Sequence, residues 1–307
     1  MTRRSVPDLT TQTNTFRSGF ASIVGRPNVG KSTLMNQLLG EKFVIVTDKP
    51  QTTRNRIRCI LTRDDMQVVF IDTPGIHKPH HKLGEYMVKA ALRTLQEVDV
   101  VVLVVDGTEA MGRGDDFVLE QLKGLRTPVV LLLNKTDVAD PSHLDRLEKA
   151  YRDRHPFQGV YRVSALSGDG VAPFLDGIYE LLSPGPMYYP EDMVIDHPER
   201  FVVAEMIREK IIQLTQDEIP HSVAIEIEEM VPRSDDMVFV RAIIYVERDS
   251  QKGIVIGAGG QLLRQIGQQA REDIEGLLGS RVYLDLWVRV KKDWRSKDGS
   301  LKELGYD

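Results

Sequence analysis

From Phe20 onward, short apolar runs alternate with stretches in which apolar residues recur every three or four positions. FASIVG (20–25) predicts a strand, and KSTLMNQLLG (31–40) a helix that closes on Gly40. RIRCILTRDDMQVVFID (56–72) predicts two strands about a turn at Asp64 and Asp65. DVVVLVVDG (99–107), TPVVLLLNK (127–135) and GVYRVSA (159–165) predict three more strands, each followed by helical spacing. Val/Leu runs of this kind are apolar on both faces. They predict an α/β unit with a mostly parallel sheet covered by helices on both sides.

The pattern breaks at LLSPGPMYYPEDM (181–193). Pro184, Pro186, Pro190 and Pro198, with Gly185 among them, fit neither a helix interior nor a central strand, so a linker is expected. Beyond it the order changes. FVVAEMIREKIIQLT is helical, SVAIEIEEMV and MVFVRAIIYVE alternate as strands, and a long helix runs to about Leu278. The last strand, RVYLDLWVRV (281–290), puts Val282, Leu284, Leu286, Val288 and Val290 on one face and Tyr283, Asp285, Trp287 and Arg289 on the other. The expected division is a polar, flexible tail (1–17), an α/β domain (18–183), a linker (184–198) and an α+β domain (199–307).

Composition changes this picture little. The 307 residues suffice for two domains, and 41% hydrophobic with 28% charged residues is a globular profile. A net charge of −5 excludes a globally basic nucleic-acid binder, yet from Gln251 to Asp307 ten Lys/Arg stand against eight Asp/Glu. Cys59 is the single cysteine, so the chain forms no internal disulfide. The N-terminal stretch has no apolar run and does not read as a signal peptide. No apolar stretch approaches the roughly 20 residues of a membrane span, which leaves only peripheral membrane contact.

GRPNVGKS (25–32) fits G-x-x-x-x-G-K-[ST] between an apolar strand and a helix. Gly25 and Gly30 let backbone N–H groups turn inward around phosphate oxygens, and the helix N-terminus adds positive potential. Lys31 would reach the β- and γ-phosphates and Ser32 would offer its hydroxyl to Mg²⁺. DTPG (72–75) ends a strand, placing Asp72 near Mg²⁺ and the Gly75 N–H near a γ-phosphate. NKTD (134–137) ends another, and Asp137 can accept from two adjacent N–H groups that guanine has and adenine lacks. SAL (164–166) ends the last, with the Ala165 backbone at the guanine carbonyl. All four stretches sit at carboxyl ends of strands, where open parallel sheets bind ligands. The candidate GTP-binding residues are therefore Gly25, Arg26, Pro27, Asn28, Val29, Gly30, Lys31, Ser32, Thr33, Asp72, Thr73, Pro74, Gly75, Ile76, Asn134, Lys135, Thr136, Asp137, Ser164, Ala165 and Leu166. The three histidines of HKPHHK (77–82) lack a companion set of carboxylates or cysteines at ligand spacing, so they read as a surface segment rather than a metal site.

With these motifs the first domain resembles the translation-factor-related GTPases, and within them the Era and TrmE group. KPQTTRNRI (49–57) lies where that family has its first switch. The resemblance implies a threonine there on Mg²⁺ and the γ-phosphate, assigned to Thr53 with Thr52 as the alternative. The implied Mg²⁺ set is Ser32, Thr53 and Asp72, and the implied catalytic set Lys31, Thr53, Gly75 and Asn28. Ras-like enzymes have a glutamine after DTPG to orient the attacking water; here it is Ile76, whose side chain has no hydrogen-bonding group. The resemblance implies that water is placed by K⁺ held partly by Asn28 or by the switch backbone itself, and Arg54 as an arginine finger in cis is a third option. Slow intrinsic hydrolysis is expected, on the order of 10⁻⁴ to 10⁻² s⁻¹.

KGIVIGAGGQLLRQIG (252–267) invites comparison with a dinucleotide-binding turn. Counting from Gly257 puts Leu262 where the third glycine of G-x-G-x-x-G belongs, and the acidic residues that follow lie inside a helix. Gly257-Ala258-Gly259-Gly260 instead fits the G-x-x-G loop of a KH domain, which clamps a single-stranded sugar-phosphate backbone between two helices. The element order looks like a type II KH domain, and its union with an upstream GTPase domain resembles the Era family over about residues 17–305. The candidate RNA-binding residues are Lys252, Ile256, Gly257, Ala258, Gly259, Gly260 and Arg264. The loop lacks the basic residue such loops often carry, so charge has to come from Lys252, Arg264 or the segment Lys291, Lys292, Arg295. The resemblance implies binding to the 3′ end of 16S ribosomal RNA, a role in 30S subunit assembly, GTP/GDP and Mg²⁺ as ligands with K⁺ left open, no DNA, a monomer, and a cytoplasmic location with peripheral contact to the inner face of the cell membrane left open. The alternative is a GTPase of the same group acting in tRNA modification or through a protein partner.

Overall fold

Strands with no polar face need cover on both sides, and the fold supplies it. The computed structural model describes residues 16–47, 49, 52–79 and 81–306. His80, Pro50, Gln51 and most of the expected tail lie outside the described residues. The N-terminal unit runs β1 (Arg17–Val24), α1 (Lys31–Leu39), β2 (Ile57–Thr62), β3 (Met66–Asp72), α2 (Lys82–Thr94), β4 (Val100–Asp106), α3 (Arg113–Leu122), β5 (Val129–Asn134), α4 (Pro141–Arg152), β6 (Gly159–Arg162) and α5 (Val171–Leu181). The sheet order is β2-β3-β1-β4-β5-β6, parallel except for β2, which returns antiparallel to β3 through the turn at 63–65. Alternate residues feed two cores. Ile23, Val102, Val104 and Leu132 pack under α1 and α5, while Val24, Val101, Leu103 and Leu131 pack under α2, α3 and α4. Truncating one such side chain, as in Leu132→Ala, costs about 2–5 kcal/mol in general. Cys59 is buried in β2, and burial pushes its thiol pKa up.

The expected linker is laid against the N-terminal unit. Val194 O accepts from Ile60 N (2.9 Å), Asp196 N donates to Arg58 O (3.0 Å), and Gln67 holds Tyr188 N and Tyr189 N at 2.7 and 2.9 Å. It thereby covers the exposed edge of β2.

The second unit runs α6 (Glu199–Leu214), a single turn α7 (Ile219–Ser222), β7 (Ala224–Ser234), β8 (Met237–Val246), α8 (Asp249–Ile256), α9 (Gln261–Leu278), β9 (Arg281–Val290) and α10 (Asp298–Glu303). β7 pairs antiparallel with β8, and β8 pairs parallel with β9, the crossover being the α8–α9 pair. Val240, Ala242, Ile244 and Val282 face Ile207, Ile211, Ile266 and Ile274 of α6 and α9. Tyr283 and Trp287 stay exposed on the opposite face of β9, as the alternation predicts. Trp294, Leu301 and Tyr306 of the C-terminal segment pack with Leu83 and Met87 of α2, joining the two units.

Candidate functional site

The turn between β1 and α1 wraps a cleft of about 240 Å³ lined by Pro27, Asn28, Gly30, Lys31, Ser32, Thr33, Thr53, Gly75 and Lys135, among others. Gly30 caps α1 at φ 95°, and a Cβ there would sit 2.2 Å from Asn134 Nδ2, so only glycine fits. Lys31 is buried, and its Nζ donates to Gly25 O (3.2 Å) and Arg26 O (2.7 Å) across the loop. Burial pulls its pKa down to about 8, against the opposing pull of Asp72.

Ser32, Thr53 and Asp72 converge. Ser32 Oγ lies 3.0 Å from Thr53 Oγ1 and 3.2 Å from Asp72 Oδ2, and Thr53 Oγ1 lies 3.1 Å from the same oxygen. Thr52 turns the other way, its hydroxyl 2.6 Å from Thr47 Oγ1 and donating to Lys49 O (2.7 Å). Asp72 is fully buried; burial raises its pKa to about 6, with Lys31, Thr53 and Ser32 working against the rise. Its Oδ1 is buried without a hydrogen-bond partner. Two hydroxyls, a carboxylate oxygen and an orphaned carboxylate oxygen form a hard, oxygen-only donor set that fits Mg²⁺.

Thr73 Oγ1 donates to Ile23 O (2.8 Å), and Ile76 N to Gly25 O (3.1 Å), locking the DTPG turn to the phosphate loop. The Pro74 side of this turn is buried, and the Ile76 side chain packs into the core below α2, away from the cleft. Arg26 is pinned outward to Glu109 (2.6 Å) and Asp115 (2.9 Å), so only its backbone faces the loop.

At the other end, Asn134 acts as a brace. Its Nδ2 donates to Val29 O (2.8 Å) and its Oδ1 accepts from Ala165 N (2.9 Å), joining the phosphate loop to the SAL turn. Thr136 N donates to Val163 O (3.2 Å), and Lys135, at φ 64°, pairs with Asp106. Asp137 is exposed, Ser164 is buried and Leu166 is 77% exposed. An exposed carboxylate at Asp137 and an exposed apolar side chain at Leu166, on turns joined through Thr136 and Asn134, suit a planar base.

Arg54, one of the three options for orienting water, is not at this site. It is 1% exposed and reaches into the C-terminal unit, so the arginine-finger option is withdrawn. The reason is steric and electrostatic: backbone carbonyls around α7 cage its guanidinium. Nothing in the local pattern TTRNR points to that long-range cage.

The second candidate site lies in the C-terminal unit. Gly257, Gly259 and Gly260 all adopt positive φ (73°, 57°, 77°), turning the chain from α8 into α9. Arg264 Nη2 donates to Gly259 O (3.2 Å), holding a cation against the loop. Ala258 is exposed, Lys252 half-buried, and Ile256 packs against the core. A groove runs from Gly260 between α9 and β9, walled by Leu263, Gly267, Arg271, Leu284 and Leu286. Arg271 is absent from the sequence-derived set, although its i+7 spacing from Arg264 places both on one helix face. Lys291 and Arg295 are paired with Glu303 and Glu247 instead of facing the loop.

The family model described as a 50S ribosome-binding GTPase matches residues 20–135, and the KH domain model matches residues 218–295. Two solved structures resemble the chain along nearly its whole length. One is Era in complex with MgGDPNP and nucleotides 1506–1542 of 16S ribosomal RNA; the other is a single-residue variant of Aquifex aeolicus Era bound to GDP·AlF₄⁻. Each is 38% identical, covering 95% of this chain and 99% of the other, with a TM-score of 0.91.

Proposed function

The chain belongs to the Era family of GTPases, and from that premise we propose that it is a GTP-switched protein of 30S assembly that grips the 3′ end of 16S ribosomal RNA. The observation that carries the reading is the convergence of Ser32, Thr53 and Asp72 beside the phosphate loop in a chain that also holds the GAGG loop over an apolar groove. Lys31 stabilises charge on the β- and γ-phosphates, and the N-terminus of α1 adds its partial positive charge. Ser32, Thr53 and Asp72 would hold Mg²⁺, which when bound neutralises charge shared between the same phosphates. Asp137 selects guanine. Gly75 and Thr53 read the γ-phosphate, so the segments that carry them are ordered with GTP and released after hydrolysis.

With Arg54 withdrawn, water is oriented either by the switch backbone or by K⁺ held in part by Asn28. Replacing K⁺ by Na⁺ in the assay slows hydrolysis only in the second case. At the other site, RNA phosphates approach the glycine backbone and the N-terminus of α9, with Arg264 and Lys252 as the nearby charges. The test is binding of the full-length chain to a labelled single strand copying the 3′ end of 16S ribosomal RNA. It is run with a non-hydrolysable GTP analogue and with GDP at one salt concentration. Tighter binding with the analogue supports the switch; equal binding refutes the coupling, and no binding in either state refutes the RNA assignment.

A further inference from the structure

Among the described residues, no helix or strand holds the segment between Gly40 and Arg56. Asn36 of α1 ties down residues 43 and 44. Beyond them, much of the grip comes from the C-terminal unit. Val46 N donates to Glu209 Oε1 (3.0 Å), and Lys42 Nζ reaches Glu209 (2.6 Å) and Asp273 (3.0 Å). Glu209 is on α6, and Asp273 on α9, the helix whose N-terminus carries the GAGG loop.

Both chain neighbours of Thr53 are held in the same way. Before it, the Thr52 carbonyl accepts from Arg208 Nη2. Arg208 is 1% exposed and is aimed by Glu205, at 2.8 Å from Nε and 2.5 Å from Nη2. After it, the Arg54 guanidinium donates to Val223 O (2.6 Å), Pro220 O (3.1 Å) and His221 O (3.3 Å) and lies 5.8 Å from the Trp294 ring centroid. Charged hydrogen bonds in a water-excluded setting are directional and strong. One fixes the peptide plane before Thr53 and three anchor the side chain after it, so the backbone from which the Thr53 hydroxyl reaches Ser32 and Asp72 is held on both sides.

We propose that Arg208 and Arg54 are positioning residues for GTP hydrolysis: with the C-terminal domain docked, they hold Thr53 in place at the nucleotide site. The inference rests on the reading of Thr53 as the switch threonine. It assigns the C-terminal domain a share of the GTPase site and makes its docking part of what distinguishes GTP from GDP. The Lys42–Glu209–Asp273 cluster ties that docking to the RNA end of α9.

The test uses the full-length chain with Arg208→Ala, Arg208→Lys, Thr53→Ala and the Arg208→Ala/Thr53→Ala double variant. Affinities for GDP and for a non-hydrolysable GTP analogue are measured with Mg²⁺, together with kcat and KM for GTP. Arg208→Ala should leave GDP affinity within about twofold of wild type, and weaken the analogue and lower kcat by roughly tenfold each, the scale of one hydrogen bond to a charged group. Arg208→Lys should recover part of both losses. In the Thr53→Ala background, removing Arg208 should cost nothing further, because its effect passes through Thr53. An Arg208→Ala protein with the wild-type analogue-to-GDP ratio and kcat overturns the proposal. So does an additive double variant, or equal loss of GDP and analogue affinity. If Arg208→Ala does not fold, Arg208→Lys and Arg54→Lys make the same comparison, and the same ratios decide. A wild-type chain that fails to prefer the analogue over GDP in a Thr53-dependent way refutes the switch reading itself, a result visible before any Arg208 variant is made.

Discussion

Burial works against the charge on Asp72, and the folded protein bears that cost for the sake of the ion it would bind. Its pKa rises from 3.8 to about 6, so between these values the folded state holds a proton that the unfolded state has released. Stability of the ligand-free protein therefore falls as pH rises through that window and levels off above it. A two-unit rise corresponds to about 3 kcal/mol. Asp72→Asn, measured in EDTA without nucleotide, should raise the melting temperature at pH 8 and change it little near pH 4, while abolishing Mg²⁺-dependent hydrolysis. A variant that melts lower than wild type at pH 8 would show that the carboxylate stabilises the fold. Asn134 presents the opposite case. Asn134→Ala leaves Val29 O and Ala165 N without partners at a buried joint, at about 1–3 kcal/mol each. Because the joint serves the whole nucleotide, GDP and GTP-analogue affinities should fall together, unlike the selective loss expected at Arg208. Parallel titrations of the two nucleotides separate these roles.

At the scale of elements, the GAGG turn can be tuned in two directions. Gly257 sits at φ 73°, with its absent Cβ only 2.8 Å from Leu262 Cβ, so Gly257→Ala should distort the turn and weaken RNA binding at any salt. Ala258 is exposed and has no positive φ, so Ala258→Lys should be tolerated. It should tighten RNA binding and steepen the log–log salt dependence by about 0.7, the increment for one added phosphate contact on a single strand. An unchanged slope would place the RNA backbone away from the loop. The strands and long helices were legible because Val/Leu runs and three-to-four spacing reflect local burial. The phosphate loop, DTPG, NKTD and SAL were legible because their ligand demands fixed residues at fixed spacing. What stayed hidden was long-range. TTRNR carries no sign that Arg54 ends among the carbonyls of α7, and proline spacing marked a linker without showing that it lies along β2. Lys291 and Arg295 were indistinguishable from loop cations until their partners Glu303 and Glu247 came into view.

At the scale of the molecule, the two sites share a boundary made of the segment that carries Thr53 and of α2. The segment between Gly40 and Arg56 is gripped by α6, α7 and α9, while α2, which follows the DTPG turn, packs its Leu83 and Met87 against Trp294 and Leu301. A ligand shifts such an arrangement only by its differential affinity for the docked and undocked states, and the coupling is reciprocal. If the γ-phosphate favours docking, RNA that also favours docking must tighten GTP by the factor by which GTP tightens RNA. Hydrogen exchange locates where that free energy acts. With a GTP analogue and Mg²⁺, amides at 45–47, 52–56, 219–223 and 301–306 should exchange more slowly than with GDP. Those of β8 around Val240 and Ile244, deep in the C-terminal core, should not change. The same segments should slow when the 16S 3′-end strand is added to the GDP form, by less, since RNA acts on them through the C-terminal unit. Slowing confined to the N-terminal domain in both experiments would mean that the contacts bridging the units carry no coupling, and that each site works alone.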